Sequence, residues 1–283
     1  MIEVDITKKL HGSNGDMNLA LNFTIEEGCF LALSGKSGSG KTTFLRVLAG
    51  LEESQGRIVV GDEIWQDSNT FLPPQKRKIG FMFQDYALFP NMSVEENLLF
   101  VNKDKELVKH LLNITELSEL NLRKPSSLSG GQQQRVALCR AMMNKPKLLL
   151  MDEPLSALDP TMRTKLQNEI LTLHKEFGTT TIMVSHEPSE IYKLAKRVIV
   201  LENGRIVDDN TPKNVLLKTK GSQKFSFEGE LLEIKKVDVI HIAIVAIGQQ
   251  LVEIVVSSDE KKNLKVGDIV NISTKAFNPI ISS

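Results

Sequence analysis

Between residues 19 and 33 the hydrophobic pattern changes period. Leu19, Leu21, Phe23 and Ile25 fall on every second position, as in a strand with one buried face. After a turn at Glu26-Glu27-Gly28, the run Cys29-Phe30-Leu31-Ala32-Leu33 is apolar throughout, as a strand covered on both faces must be. A Gly/Ser-rich loop follows, and then Phe44, Leu45 and Leu48 mark a helix. Residues 147–151 predict a second buried strand, ending at Asp152-Glu153-Pro154. Asp159-Pro160 predicts a helix start, with Asp159 as N-cap and Pro160 at the first helical position. Its apolar stripe is Met162, Leu166, Ile170, Leu173 and Phe177, and Gly178 closes it. Residues 180–184 predict a third strand, which runs into Ser185-His186. Gly61-Asp62 and Asn203-Gly204 read as tight turns between strands.

Strands alternating with helices, with polar residues gathered at strand C-termini, predict an α/β parallel sheet whose site lies along that edge. From about residue 225 the character changes. Short β-branched runs at 239–247, 251–256 and 269–272 are separated by Gly248-Gln249-Gln250 and Val266-Gly267-Asp268, the pattern of a small all-β module. Gly221-Ser222-Gln223 reads as the joint, giving domains at 1–222 and 223–283. A length of 283 residues suits one large domain and one small one.

The formal net charge is zero, so no global basic field attracts nucleic acid, and no nucleic-acid partner is expected. Cys29 and Cys139 sit in apolar surroundings without metal-type or C-x-x-C spacing, and read as buried, reduced thiols of a cytosolic protein. The first ten residues lack the apolar core of a signal peptide. No window approaches the roughly 18 apolar residues of a membrane helix. Work at a membrane would need a partner's span.

Gly35-Lys36-Ser37-Gly38-Ser39-Gly40-Lys41-Thr42 fits G-x-x-x-x-G-K-[ST], the phosphate-binding P-loop, between a buried strand and a helix. Its backbone N–H groups would face phosphate oxygens, with the dipole of the next helix behind them. Lys41 would reach the β- and γ-phosphates, and the Thr42 hydroxyl would ligate Mg²⁺. Asp152 ends a buried strand, where a carboxylate is costly without a cation, so it is the candidate second Mg²⁺ holder. Glu153 follows. Alternation along an extended chain would point it elsewhere, toward an attacking water. The competing reading of this acid pair is helix capping before a turn.

Leu128-Ser129-Gly130-Gly131-Gln132, continuing as Gln133-Gln134-Arg135, resembles the signature LSGGQ of the ATP-binding-cassette (ABC) family. The resemblance runs in order over residues 1 to about 215. Gln84 in Phe83-Gln84-Asp85 matches the Q-loop, Ser156-Ala157-Leu158-Asp159 the D-loop, and His186 the switch histidine. On physical grounds Ser129 and the glycines are also an anion-binding helix start.

The resemblance implies a P-loop ABC ATPase cassette: a RecA-like parallel sheet, a β-subdomain and a helical signature subdomain, followed by an OB-type β domain. It implies ATP held by Gly35, Lys36, Ser37, Gly38, Ser39, Gly40, Lys41, Thr42, Thr43 and Gln84. Mg²⁺ would be held by Thr42, Gln84 and Asp152, and catalysis carried by Glu153, His186 and Lys41. Ser129, Gly130, Gly131 and Gln132 would act on nucleotide bound to a second copy, with Asp159 in the D-loop between them. The implied partners are integral-membrane permease subunits at the cytoplasmic face of the membrane and, through them, a substrate receptor.

The stretch Phe89-Pro90-Asn91-Met92-Ser93-Val94-Glu95-Glu96-Asn97 resembles import ATPases, and the single C-terminal module resembles those of molybdate/tungstate importers. In those relatives an oxyanion binds near the segment matched by Ser273-Thr274-Lys275-Ala276-Phe277. An edge strand with a solubilising lysine accounts for it equally well. Sulfate, iron, polyamine or sugar cargo, or a soluble non-transport ABC ATPase, are the alternatives. The last is disfavoured because no long coiled-coil insert, second cassette or basic stripe appears. One departure concerns adenine stacking. Many members carry a tyrosine near residue 12, where this chain has Leu10-His11-Gly12-Ser13, so His11 is the candidate, against a solvated loop histidine.

Overall fold

The computed structural model describes every residue except 13–14, 157, 218–224, 238–239, 248–249, 258–259, 262–263 and 275–283. The chain divides into two units, Met1–Leu216 and Leu217–Ser283.

In the first unit, β1 (Ile2–Gly12) and β2 (Gly15–Ile25) pair antiparallel. The strand β3 (Phe30–Ser34) then leads to α1 (Lys41–Leu48), and β4 (Gln55–Val60) and β5 (Glu63–Gln66) complete a sheet ordered β2-β1-β4-β5. Its buried face carries Val4, Ile6, Leu19, Leu21, Ile25 and Trp65, packed with Phe44, Leu45 and Leu48 of α1. The alternation from Leu19 to Ile25 is therefore the inner face of this sheet.

A second sheet contains β6 (Ile79–Met82), β7 (Leu148–Asp152), β8 (Thr180–Val184), β9 (Arg197–Glu202) and β10 (Arg205–Asn210), in the order β10-β9-β3-β8-β7-β6. Every neighbouring pair from β9 to β6 is parallel, and β10 is antiparallel to β9. The unbroken apolar runs are its central strands: all five residues of β7 and of β8 are buried.

Between β6 and β7 lie α2 (Val94–Leu99), α3 (Lys105–Ile114) and α4 (Gly130–Met142). Val94, Leu98, Val108, Leu111, Val136, Leu138 and Cys139 form their shared core. Burial pushes the Cys139 thiol up to about 12. Cys29, expected to be buried, is only half-buried, because it lies in the turn ahead of β3 rather than in the strand. The helix predicted after Asp159 is α5 (Pro160–Phe177), whose N-cap carboxylate accepts N–H bonds from Thr161 and Met162, each at 3.0 Å. Gly178 ends it at φ 60°. α6 (Pro188–Leu194) follows β8, and α7 (Pro212–Leu216) closes the unit.

The second unit holds β11 (Phe225–Val237), β12 (Ile240–Ile247), β13 (Gln250–Val256) and β14 (Ile269–Thr274), antiparallel in the order β13-β12-β11-β14. Leu231, Ala243 and Val245 are its buried centre. The long strand β11 escaped the sequence pattern because a register shift between Leu231 and Glu233 breaks its alternation. The joint Gly221-Ser222-Gln223, the Gly248-Gln249 turn and Lys275-Ala276-Phe277 lie outside the described residues.

Candidate active site

The parallel sheet sets the level of the site. Leu33 of β3, Val184 of β8 and Asp152 of β7 stand in one cross-strand row. Three segments leave the sheet just beyond that row, at Ser34, Ser185 and Glu153. In such sheets ligands bind outside the carboxyl ends of the strands.

The first segment is the glycine-rich loop. Gly35 has φ 136°, and a β-carbon there would fall 2.1 Å from the Leu201 carbonyl oxygen of neighbouring β9. No other residue fits. Ser39 N–H closes a turn on the Lys36 carbonyl at 3.2 Å, and α1 begins behind Gly40. The Lys41 ammonium donates to the carbonyls of Gly35 and Lys36 at 2.7 and 2.8 Å, so it lies over the loop it follows. Burial lowers its pKa, while Glu153 and Asp152 act in the opposite direction. Lys36, Ser37, Gly38 and Thr42 are exposed, Thr43 is half-buried, and Ser39 is buried.

The second segment begins at Asp152. The Thr42 hydroxyl donates to its Oδ1 at 3.1 Å, across 110 residues of chain. Burial raises the Asp152 pKa; the Thr42 hydrogen bond and the Lys41 charge oppose the shift. Glu153 corrects the sequence expectation. Its direction does not come from strand alternation, because extended backbone ends at Asp152 and Glu153 adopts φ 48°. That left-handed conformation costs a non-glycine residue about 1–2 kcal/mol. It is held by the Glu153 N–H bond to the Val184 carbonyl at 3.2 Å.

The third segment carries His186, whose Nδ1 lies 3.6 Å from Glu153 Oε1. Glu153, Ser156, Arg163, Ser185, His186, Glu187 and Glu190 line one cleft. Lys41, Thr42, Asp152, Glu153 and His186, drawn from three separate stretches, are thus brought together.

Gln84 is exposed, two residues past β6. Beyond it Tyr86 and Ala87 both take positive φ, 60° and 46°. Arg140, in the last turn of α4, donates to both their carbonyls, at 3.1 and 2.7 Å, and stacks on Phe89. The sequence reading missed Arg140; its spacing along the helix gives no sign of a partner over fifty residues away.

Ser129 and Gln132 form a reciprocal capping box at the head of α4, with bonds of 3.3 and 2.9 Å. Their bonds are to each other rather than to residues 35–43. Gly131 is packed: a β-carbon there would meet Met162 Cε at 2.8 Å and Leu158 Cδ2 at 3.3 Å. Gly130 faces open space, with nothing within 4 Å. The body of α4 is tied to the sheet edge by the Gln134 amide bonded to the Pro154 carbonyl, and to α5 by the buried Arg135–Glu169 pair at 3.1 Å. Asp159 caps α5. The side chain of His11 and all of Ala157 lie outside the described residues, so the adenine-stacking expectation meets no observation.

A family model described as "ABC transporter" matches residues 19–156. The spermidine/putrescine import ATP-binding protein PotA of Bacillus anthracis is 41% identical over 239 residues, covering 81% of this chain and 72% of that protein. The chain belongs to the ABC transporter ATP-binding family. The sulfate/thiosulfate import ATP-binding protein CysA 2 of Agrobacterium fabrum is 46% identical over 221 residues, covering 74% of this chain and 64% of its own. Among solved structures, the ATP-binding cassette MJ0796, a dimer bound to ADP and Pi, superposes with a TM-score of 0.65 at 29% identity. That match covers 75% of this chain and 99% of that one. CbiO1 of Clostridium perfringens, part of an ABC transporter complex, gives 0.67 at 26% identity, covering 77% and 90%. The protein is an ABC ATPase, with the cassette fold and a C-terminal antiparallel β unit of OB-type character. No helix among the described residues is long and apolar enough to cross a membrane.

Proposed function

We propose that this ABC ATPase is the ATP-hydrolysing subunit of an importer for a small charged solute, with a polyamine as the first candidate cargo. The Thr42–Asp152 bond carries the catalytic part of this reading. It joins the P-loop helix to the buried carboxylate at the end of β7, beside the Glu153–His186 contact. Thr42 and Asp152 offer hard oxygens 3.1 Å apart, and burial raises the Asp152 pKa, a cost to its charged form that a bound cation would offset, so the pair fits Mg²⁺. Thr42 and Asp152 would hold the ion with Gln84, and its charge would offset that of the phosphates. Lys41 would exchange the Gly35 and Lys36 carbonyls for phosphate oxygens. Glu153 takes a proton from the attacking water, and His186 steadies the γ-phosphate as the P–O bond to ADP breaks.

Ser129 and Gly130 would complete this site from a second copy of the chain. The dimeric MJ0796 cassette supports that arrangement, as does open space at Gly130 where packing makes no demand for glycine. Permease subunits and, through them, a receptor are the proposed partners, on the cytoplasmic side of a membrane. The exposed Phe100 and Leu122 of the helical region offer apolar surface for docking them. Residues 1–222 would serve as the nucleotide-binding domain and 223–283 as a separate module.

The expected molybdate cargo has less behind it than polyamine or sulfate, which the relatives' names give. The side chains of Ser273 and Thr274 and all of Lys275 lie outside the described residues, so nothing supports an oxyanion site there. Uptake of labelled spermidine, sulfate and molybdate by cells lacking the gene tests the reading. Spermidine uptake should be lost, and wild-type protein but not Glu153→Gln should restore it. Loss of sulfate uptake instead would shift the cargo, and unchanged uptake of all three would remove the cargo assignment.

A further inference from the structure

The His186 side chain is 68% exposed, with Nδ1 3.6 Å from Glu153 Oε1. An exposed imidazole on a loop has several rotamers and backbone settings open to it, so something else must fix its position. Ser185, the preceding residue, is buried. Its N–H bonds the Leu33 carbonyl at 3.2 Å, its hydroxyl donates to Glu190 Oε2 at 2.6 Å, and its Oγ accepts the Glu187 N–H at 3.1 Å. His186 is therefore flanked on both sides by groups tied to one side chain.

Glu190 is buried in the first turn of α6. A glutamate reaching back to a serine at a helix start is an ordinary local cap, and by itself would say nothing more. The second arm goes further. Glu190 Oε1 lies 3.5 Å from Nε of Arg163 on α5, and Arg163 Nη2 donates to the Leu158 carbonyl at 3.3 Å. Leu158 belongs to the segment that starts at Glu153, where the Ser156 hydroxyl donates to the Glu153 carbonyl at 3.1 Å. One chain of contacts thus runs from Leu158 to the loop of His186, and Arg163, Glu190 and Ser185 line the same cleft as Glu153 and His186. Such a loosely bonded pair, with Glu190 buried and Arg163 half-buried, adds little net stability, since desolvation offsets its attraction. Its geometric effect is what distinguishes it.

We propose that Arg163, Glu190 and Ser185 form a brace that positions His186 opposite Glu153 and fixes the loop at 153–158 to the switch loop. The proposal rests on Glu153 and His186 being the hydrolytic pair. The three braced residues are positioning residues and touch no reacting atom.

The test is steady-state ATP hydrolysis by the purified full-length protein carrying Ser185→Ala, Arg163→Gln or Glu190→Gln, each alone and combined with His186→Ala. Each single variant should lower kcat about 10- to 100-fold with KM for ATP unchanged, since the P-loop is untouched. In the His186→Ala background the same substitutions should cost no further activity, because the residue through which they act is gone. Losses that multiply with His186→Ala, or a rise in KM with kcat retained, would overturn the brace. A large loss for His186→Ala beside wild-type kcat in all three brace variants would also overturn it while leaving the hydrolytic pair standing. His186→Ala at wild-type kcat would overturn both. If Arg163→Gln does not fold, Ser185→Ala, which deletes a single hydroxyl, carries the same comparison.

Discussion

Helices α1 and α4 both begin in a glycine-rich turn, and they are finished in opposite ways. Gly40 at the head of α1 has no side-chain oxygen to offer as a cap, and the first turn holds no acid. The Lys41 ammonium there adds to the positive end of the helix, while the Asp152 carboxylate accepts from Thr42 in the same turn. At α4, Ser129 and Gln132 satisfy each other's backbone N–H groups, so that helix start is complete within the chain. Its two glycines differ in surroundings: Gly131 packs against the ends of Met162 and Leu158, while Gly130 has nothing within 4 Å. The first helix head is left without a cap from its own side chains. The second is capped within the chain, and nothing within 4 Å of Gly130 requires a glycine there.

The largest expected effect separates hydrolysis from both helix heads. Glu153→Gln leaves the P-loop and the signature untouched and should slow ATP turnover about 10²- to 10⁴-fold. Nucleotide binding should survive, so the variant should accumulate as an ATP-bound dimer in sizing chromatography. Turnover near wild type would remove Glu153 from the base role.

The two glycines give a smaller and more pointed test. Gly131→Ala must push aside the ends of Met162 and Leu158, which offsets alanine's gain as a helix former, so it should be less stable than Gly130→Ala by about 1 kcal/mol, read as a lower melting temperature. Gly130→Ala should leave melting unchanged or slightly raised, as alanine is the better helix former, and still lower ATP turnover. Equal melting losses at both positions would end the distinction drawn between them.

A further effect, on stability alone, concerns how α4 is fastened to α5. Burial raises the Glu169 pKa to about 7 from 4.5, with Arg135 acting against the shift. The folded state therefore keeps this proton to higher pH than the unfolded chain does. Stability relative to Glu169→Gln should be greatest below pH 4.5 and fall as pH rises toward 7, by at most about 1.4 kcal/mol per pH unit. A flat difference across that window would show that Glu169 does not titrate as its burial requires.

The candidate site was legible where chemistry sits at the end of an apolar run. Gly35, Asp152 and Ser185-His186 each follow a continuous buried strand, so the pattern that predicts the sheet also locates its working edge. The orientation of Glu153 was not legible, because the left-handed backbone at that residue depends on a bond to Val184 from a different strand. Arg140, Arg163 and Glu190 were missed for the same reason, since their partners are set by packing between distant elements. In the second unit, the shifted register of β11 hid a strand of 13 residues. The molybdate expectation drew on the size of that unit, and size carries no information about a ligand.

The most direct test of the division between the two helix heads mixes two defective chains. Lys41→Ala should weaken nucleotide binding by roughly 1.5–3 kcal/mol. Ser129→Arg should leave nucleotide binding by its own chain intact and block turnover. A heterodimer of the two retains one site with an intact P-loop facing an intact signature. The mixture should therefore recover part of the ATPase activity that neither variant shows alone. No recovery, with heterodimers confirmed in the sample, would contradict a site built from two chains.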